Sequence, residues 1–259
     1  MSGAVTGGGR RVRPRYWTGD ANGPVSHGAV APGYSARVNH PLVIPGVYAP
    51  QDDTVLLTEA LADESFPAGA RVLDVGTGSG ALALAAARRG GEVTAVDVSR
   101  RAVVGVRINA LLHRVRVRAV RGDLFAPVRG QAFDVITANP PYVPAPPGGL
   151  RGRPRKARAW DAGDDGRLVV DRICREAPGL LRPGGVLLMV HSELSGPVAT
   201  VEQLRAAGLK AAVTLRRQVA FGPVLRDRVH WLRQRGLISP EQARAEREEL
   251  VVVRAERPV

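Results

Sequence analysis

The sequence is poor in the residues that stabilise small secreted domains or bind metals. Cys174 is the only cysteine among 259 residues, which excludes an internal disulfide, and no cluster of cysteines and histidines predicts a zinc site. No run of about 18 consecutive apolar residues is present, so no membrane-spanning helix is predicted. The arginines near the N-terminus precede no apolar segment of the kind that a secretory signal requires. We therefore expect a cytoplasmic protein that binds no metal.

Lysine and aromatic residues are also scarce. Aromatic side chains make up 4% of the sequence, and Lys156 and Lys210 are the only lysines, yet arginine brings the formal net charge to +13. A basic balance favours contact with polyanions such as RNA, DNA or the ribosome. The alternative is an arginine-rich chain whose surface charges are merely solvated, and no single helix concentrates the charge. Contact with nucleic acid or the ribosome therefore stays open.

A glycine-rich turn follows an apolar run in residues 70–80, Ala-Arg-Val-Leu-Asp-Val-Gly-Thr-Gly-Ser-Gly, and precedes an alanine-rich helical pattern. Strand, tight turn and helix are the expected order. Gly76, Gly78 and Gly80 permit positive φ and close approach to a ligand at the carboxyl end of a strand. Asp97 ends the next apolar run about 20 residues later, where an acid reaches the ribose hydroxyls of a nucleoside. The glycines alone also fit a nicotinamide or flavin site.

The sequence Asn139-Pro140-Pro141-Tyr142 follows the apolar run of residues 133–138. Downstream of Asp-Val-Gly-Thr-Gly-Ser-Gly, this motif resembles that of the amino-methyltransferases that use S-adenosyl-L-methionine. On this likeness we expect that cofactor and not a hydride carrier. Asp74 and the backbone of residues 76–80 would hold its methionine part, and Asp97 its ribose. Asp123 would bind the adenine amino group, with Leu124 packed on the ring.

The chemistry of the second motif suits a planar NH₂ group as the methyl acceptor. The Asn139 side-chain carbonyl can accept one N–H, and a backbone carbonyl from Asn139 or Pro140 can accept the other. Pro140 and Pro141 fix φ and donate no hydrogen bond, so these carbonyls are held rigidly. Tyr142 offers a flat face for the acceptor group. A lysine acceptor is disfavoured because it must first lose a proton, and asparagine is not a base.

Alternating strand and helix patterns predict an α/β fold of the Rossmann-like class I methyltransferase type. Seven strands would form a mostly parallel sheet with helices on both faces. We expect a flexible basic tail at residues 1–35 and one domain at 36–259, with a helical insertion at about 223–248. Further expectations concern individual elements: a cap at Asp53 or Thr54, a cap at Ser99, a helix over residues 168–181, strands over 115–119, 186–190, 211–215 and 250–253, and a charged helix over 241–249.

Four blocks of the sequence resemble the HemK/PrmC-type glutamine methyltransferases, in particular the short branch that lacks an N-terminal helical domain. The blocks are residues 48–54, 73–80, 139–142 and 159–167. The resemblance implies methylation of the glutamine N5 atom in the Gly-Gly-Gln motif of a peptide-chain release factor. It also implies that Thr54 contacts the cofactor, that Asn139 binds both cofactor and substrate, and that a small zinc-binding activator subunit pairs with the enzyme.

Three features depart from that family: the tail, the basic stretch of residues 151–158 and the long insertion at about 223–248. A second function therefore stays open, namely methylation of exocyclic amino groups of adenine or guanine in RNA or DNA. The asparagine motif serves that chemistry equally well, with Tyr142 stacking on a flipped base.

Overall fold

Helices and strands alternate through the part of the chain that the computed structural model describes, residues 41–146 and 162–259. The helices in these ranges are α1 (Asp52–Asp63), α2 (Ala81–Arg88), α3 (Arg100–Leu112), α4 (Val170–Glu176), α5 (Pro197–Ala206), α6 (Pro223–Gln234) and α7 (Pro240–Ala245). The strands are β1 (Arg71–Val75), β2 (Glu92–Asp97), β3 (Val117–Arg121), β4 (Phe133–Ala138), β5 (Leu181–Ser192), β6 (Lys210–Ala220) and β7 (Arg247–Glu256). The predicted tail at 1–35 and the basic stretch at 151–158 lie outside the described residues.

The seven strands form one sheet in the order β3-β2-β1-β4-β5-β7-β6. Neighbours from β3 to β5 run parallel, whereas β7 runs antiparallel to both β5 and β6. The predicted seven-stranded, mostly parallel sheet of the Rossmann-like class I methyltransferase type is therefore confirmed.

The strand order reverses between β1 and β4, which is the point at which open α/β sheets bind their ligands. Val75 at the end of β1 lies opposite Val96 of β2 and Ala138 of β4. Because these strands end at the same edge of the sheet, the glycine turn, Asp97 and Asn139 come together there.

Each face of the sheet is covered by its own apolar layer. Helices α1, α2 and α3 pack on one face, where their buried residues include Leu57, Leu82 and Val106. Helices α4 and α5 cover the other, with Ile173 and Leu204 among the residues that are fully enclosed. Burying apolar surface on both faces is what makes the parallel strands nearly continuous in hydrophobic residues.

The two predicted helix caps have different outcomes. The Ser99 hydroxyl accepts a hydrogen bond from the Ala102 amide at 3.3 Å and caps α3 as predicted. The cap predicted at Asp53 or Thr54 is wrong, because α1 begins at Asp52 and its N-cap residue, Gln51, makes no side-chain capping bond. No helix in the described ranges has the length and apolarity needed to cross a membrane.

The C-terminal elements differ from the predicted ones in their bounds. The helix predicted over 168–181 is shorter, since α4 gives way to a 3₁₀ turn containing Pro178, and β5 begins at Leu181. The charged helix predicted over 241–249 is wrong at its end: α7 stops at Ala245, Glu246 has a φ of +48°, and β7 follows.

Strands β5, β6 and β7 are all longer than predicted, while β3 starts and ends two residues later than expected. The charged residues at the start of β7 conceal its alternation, in which Glu248, Leu250 and Val252 are buried. Helices α6 and α7 connect β6 to β7 in the segment where an insertion was predicted. Both helices pack around a small apolar cluster that includes Val143, Phe221 and Leu232.

Candidate active site

A narrow cleft lies at the carboxyl ends of β1 and β4. Its walls come from the segment before α1, the glycine turn and the end of β4. The lining residues are Tyr48, Pro50, Thr54, Gly76, Thr77, Gly78, Ser79, Ala81, Leu82 and Asn139. Four residues predicted from sequence, Thr54, Gly76, Gly78 and Asn139, thus share one cleft. A wider concavity beside Pro178 and Gly208 lies at the opposite edge of the sheet and contains none of them.

The glycine turn has the backbone conformation that its sequence predicts. The φ angles of Gly76, Gly78 and Gly80 are +69°, +54° and +88°. A Cβ atom at Gly80 would also lie 3.0 Å from the Val106 side chain, so this glycine allows α2 and α3 to approach each other. Gly80 therefore acts on packing, whereas Gly76 and Gly78 expose backbone to the cleft.

Asp97 fixes the glycine turn. Its carboxylate accepts hydrogen bonds from the Gly78 amide at 3.0 Å and the Ser99 amide at 2.8 Å. Burial raises the pKa of Asp97, and these amide donors oppose that rise. A carboxylate has about four lone-pair sites, so acceptor capacity remains for a ligand hydroxyl.

Asp74 lies beneath the turn and is only 1% exposed. Its two oxygens accept hydrogen bonds from the Thr77 hydroxyl at 2.6 Å and the Thr137 hydroxyl at 2.9 Å. Burial raises the pKa of Asp74 to about 6. In this geometry Asp74 supports the turn through Thr77 and does not line the cleft, so a contact with the methionine part of the cofactor stays a prediction.

Asp123 and Leu124 follow β3. Asp123 is exposed and forms a two-pronged ion pair with Arg172, at 2.9 and 3.2 Å. Leu124 has a φ of +46° and packs in the apolar layer with Val96 and Ala138. Neither residue lines the cleft as it stands, and their roles toward adenine stay predictions. Nothing in the sequence pointed to Arg172 as the partner of Asp123.

Asn139 is connected to the start of α1. Its side-chain NH₂ donates to the Thr54 hydroxyl at 3.3 Å, and that hydroxyl donates to Asp53 at 3.1 Å. The hydroxyls of Tyr48 and Tyr142 donate to the other Asp53 oxygen, at 2.7 and 3.1 Å. Asp53 is 3% exposed. Apart from an acid preceding a threonine, nothing in the sequence indicated that three hydroxyls converge on Asp53.

The Asn-Pro-Pro-Tyr loop, residues 139–142, packs against residues 162–167, which are the described part of the fourth sequence block. The Ser195 hydroxyl donates to the Tyr142 carbonyl at 2.7 Å. Gly166 has a φ of +76°, and a Cβ atom there would lie 2.4 Å from the same carbonyl oxygen. Ala162 and Gly163 pair with Val143 and Ala145 through backbone hydrogen bonds. A glycine at position 166 is therefore required for the loop to keep its place.

Tyr142 is partly buried, and its ring packs against all three apolar clusters found among the described residues. Burial, reinforced by the charges of Asp53 and Glu248, raises the pKa of its hydroxyl. The ring therefore braces the loop as well as bordering the site, and a stacking contact with the methyl acceptor stays a prediction.

Comparison with known proteins agrees with this geometry. The model of the methyltransferase small domain matches residues 44–146. A protein of Methanocaldococcus jannaschii that is described as an N5-glutamine methyltransferase is 35% identical over 183 residues, which are 68% of this chain and 88% of that protein. The release factor glutamine methyltransferase of Gloeobacter violaceus is 40% identical over 173 residues, 63% of this chain and 60% of that enzyme. The chain thus spans most of the archaeal relative but less than two thirds of the bacterial one.

Among solved structures, the Mtq2–Trm112 complex of E. cuniculi, which methylates the termination factor eRF1, superimposes with a TM-score of 0.57 at 23% identity. That match covers 82% of this chain and 99% of the other. At this identity the likeness shows the fold alone. Identity of 35% across 88% of the archaeal relative shows more: the chain belongs to the protein N5-glutamine methyltransferase family.

Proposed function

We propose that this protein transfers a methyl group from S-adenosyl-L-methionine to the side-chain amide nitrogen of a glutamine. The observation that carries the proposal is the position of Asn139, which lies at the end of β4 and lines the same cleft as the glycine turn. A hydrogen-bond acceptor for an NH₂ group is thereby placed beside the backbone that would hold the cofactor.

The residues of the cleft fit this cofactor. Gly76 lines the cleft with a φ of +69°, a conformation that residues with side chains rarely adopt, so its backbone can approach a ligand closely. Thr54 and Gly78 border the cleft. Asp97, which accepts a hydrogen bond from the Gly78 amide but does not line the cleft as it stands, keeps lone pairs for ribose hydroxyls. When bound, the cofactor supplies a methyl group on a sulfonium, which is a good leaving group.

The chain's own contribution is to position the acceptor nitrogen. The Asn139 side-chain oxygen and a backbone carbonyl at Asn139 or Pro140 each accept one N–H of the glutamine NH₂. Two acceptors fix the plane of that group, so the nitrogen can present its face to the methyl group. Pro140 is buried and cannot donate, which keeps these carbonyls from turning away.

We propose that the substrate is the glutamine of the Gly-Gly-Gln motif of a peptide-chain release factor and that the reaction takes place in the cytoplasm. The names of the bacterial relatives support this choice. The test is methyl transfer from labelled cofactor to a purified release factor, to its Gln→Ala variant, and to total RNA and DNA. Asn139→Ala serves as the inactive enzyme, with cofactor affinity reduced only modestly.

Labelling that requires the motif glutamine supports the proposal. Equal labelling of the factor and its Gln→Ala variant would overturn it. Labelling of nucleic acid alone, lost steeply with added salt as phosphate contacts are displaced, would establish the nucleobase alternative. Because the chain has an excess of positive charge, the experiment must include RNA and DNA as possible substrates.

We further propose that a small partner subunit covers the edge formed by α3 and β3. Leu111 and Leu112 at the end of α3 are 79% and 63% exposed, and Val104 and Ile108 are also exposed on this helix. β3 is an edge strand, and no described strand pairs with its outer side. Seven arginines and no acidic residue lie between Arg100 and Arg121, so the matching surface of the partner would be apolar with an acidic rim.

A further inference from the structure

We propose that Asp53 is a positioning residue, which acts through the Thr54 hydroxyl to set which way the Asn139 amide faces. The proposal rests on the function proposed above, because only a substrate NH₂ group needs the Asn139 oxygen. It concerns a residue that lines no part of the cofactor cleft and touches neither reacting atom.

An asparagine amide has two faces of similar shape and opposite hydrogen-bonding character. Its oxygen accepts and its NH₂ donates, so a rotation of the amide exchanges an acceptor for a donor at the same place. If Asn139 presented its NH₂ to the glutamine, two donors would face each other. Catalysis therefore needs a group that holds the Asn139 NH₂ away from the substrate.

The Thr54 hydroxyl is that group. It lies 3.3 Å from the Asn139 side-chain nitrogen and 3.1 Å from an Asp53 oxygen. A hydroxyl can donate one hydrogen bond. The Thr54 hydroxyl donates its hydrogen bond to Asp53, so it presents only lone pairs to Asn139. Only the NH₂ side of Asn139 can meet those lone pairs, and the Asn139 oxygen then points toward the substrate.

Asp53 is suited to impose this direction because all four groups hydrogen-bonded to it are donors. It accepts hydrogen bonds from the hydroxyls of Tyr48, Tyr142 and Thr54 and from the Thr54 amide. These contacts occupy both carboxylate oxygens and leave no reason for the Thr54 hydroxyl to turn round. At 3% exposure, water cannot take the place of Thr54.

The direct test replaces the hydroxyl and keeps the shape. Thr54→Val is nearly isosteric with threonine but offers Asn139 no acceptor, whereas Thr54→Ser keeps the hydroxyl. With a Gly-Gly-Gln peptide at saturating cofactor, we expect Thr54→Val to lose roughly tenfold in kcat and Thr54→Ser to stay close to the wild type. Binding of adenosylhomocysteine, measured by calorimetry, separates any loss of cofactor affinity from the loss of kcat.

A second readout is specificity. The wild type is expected to bind the glutamine peptide in preference to its Gln→Glu variant, because the Asn139 oxygen repels a carboxylate. Thr54→Val frees the amide to rotate and so should reduce that preference, whereas Thr58→Val, which removes a hydroxyl bonded to the Thr54 backbone carbonyl on the same helix, should not. Asp53→Ala is expected to behave like Thr54→Val. If Asp53→Ala fails to fold, the comparison of Thr54→Val with Thr54→Ser tests the positioning role.

A third readout needs no substrate. The sequence contains four asparagines, so ¹⁵N-asparagine labelling gives four side-chain NH₂ signals, and Asn139→Ala identifies the relevant one. One proton of that signal should be protected from exchange in the wild type and Thr54→Ser but not in Thr54→Val. Asn109, which donates to the carbonyls of Leu42 and Ser79, is the internal reference.

Protection of the Asn139 signal without any methylation of the peptide would uphold the orientation and overturn the proposed function. Full kcat and unchanged specificity in Thr54→Val would overturn the positioning role while leaving the function standing. Equal damage in Thr54→Ser and Thr54→Val would also overturn it, because packing rather than the hydroxyl would then be responsible.

Discussion

Replacing Glu248 by glutamine should stabilise the protein above neutral pH. Glu248 lies near the start of β7, is 6% exposed, and one of its carboxyl oxygens has no hydrogen-bond partner among the described residues. Burial raises its pKa from 4.5 to about 7; a hydrogen bond from Ser192 opposes this rise, and the charge of Asp53 adds to it. The native state therefore favours the protonated, neutral form of this side chain.

The sign of the effect follows from proton linkage. In the unfolded chain the carboxyl ionises near pH 4.5, whereas in the native state it keeps its proton up to about pH 7. Stability is therefore unaffected below pH 4.5, falls as the pH rises toward 7, and is lowest above it. At about 1.4 kcal/mol per pKa unit, the full penalty is about 3 kcal/mol. Glutamine has the shape of the neutral acid and removes the penalty.

The assay is urea denaturation of the wild type and Glu248→Gln at pH 5, 6, 7 and 8. The variant should exceed the wild type by less than about 1 kcal/mol at pH 5 and by about 3 kcal/mol at pH 8. Glu249→Gln is the matched control. The Glu249 carboxylate pairs with Arg216, so this substitution should give no gain in the free energy of unfolding. Parallel stability curves for Glu248→Gln and the wild type would refute the reasoning.

Three further substitutions test other features of the site and surface. Gly166→Ala places a Cβ atom 2.4 Å from a backbone oxygen and should cost more than about 2 kcal/mol in thermal denaturation, whereas Gly179→Ala, which meets no atom within 4 Å, should cost far less. Asp97→Asn should weaken cofactor binding roughly tenfold by calorimetry, and unchanged affinity would contradict its ribose role. Without the proposed partner subunit, the exposed Leu111 and Leu112 should make the isolated chain self-associate, so replacing both by glutamine should reduce self-association in gel filtration without changing cofactor affinity; no reduction would argue against an apolar face that a partner covers.

The fold could be predicted because its signals are local. The glycine turn, the apolar runs and the Ser99 cap each identify an element from neighbouring residues, and alternation of strands and helices leaves few topologies. The start of β7 could not be predicted, because Arg247, Glu248 and Glu249 read as a solvated helix. Their strand conformation depends on pairing with the end of β6, which helices α6 and α7 separate from them in sequence.

The residues of the site likewise divide into those that could be predicted from the sequence and those that could not. Asn139 and the glycines could be identified because their chemistry is written in contiguous motifs. Asp53 and Gly166 could not, because their importance comes from what the fold brings against them: three hydroxyl donors in one case and a backbone carbonyl in the other. Sequence spacing carries no record of such contacts.

The charge around the cleft answers a question that the glycines alone left open. A dinucleotide bound at such a turn brings a pyrophosphate, which needs positive charge or free amides. The described residues that line this cleft include no arginine or lysine, although the chain has a net charge of +13. Instead, the Asp97 carboxylate is hydrogen-bonded to the Gly78 amide, and the Asp53 carboxylate to the hydroxyls of Tyr48 and Thr54, all of which line the cleft. Such surroundings favour a cationic sulfonium over a pyrophosphate, so the net charge of the chain says little about the cofactor that this cleft binds.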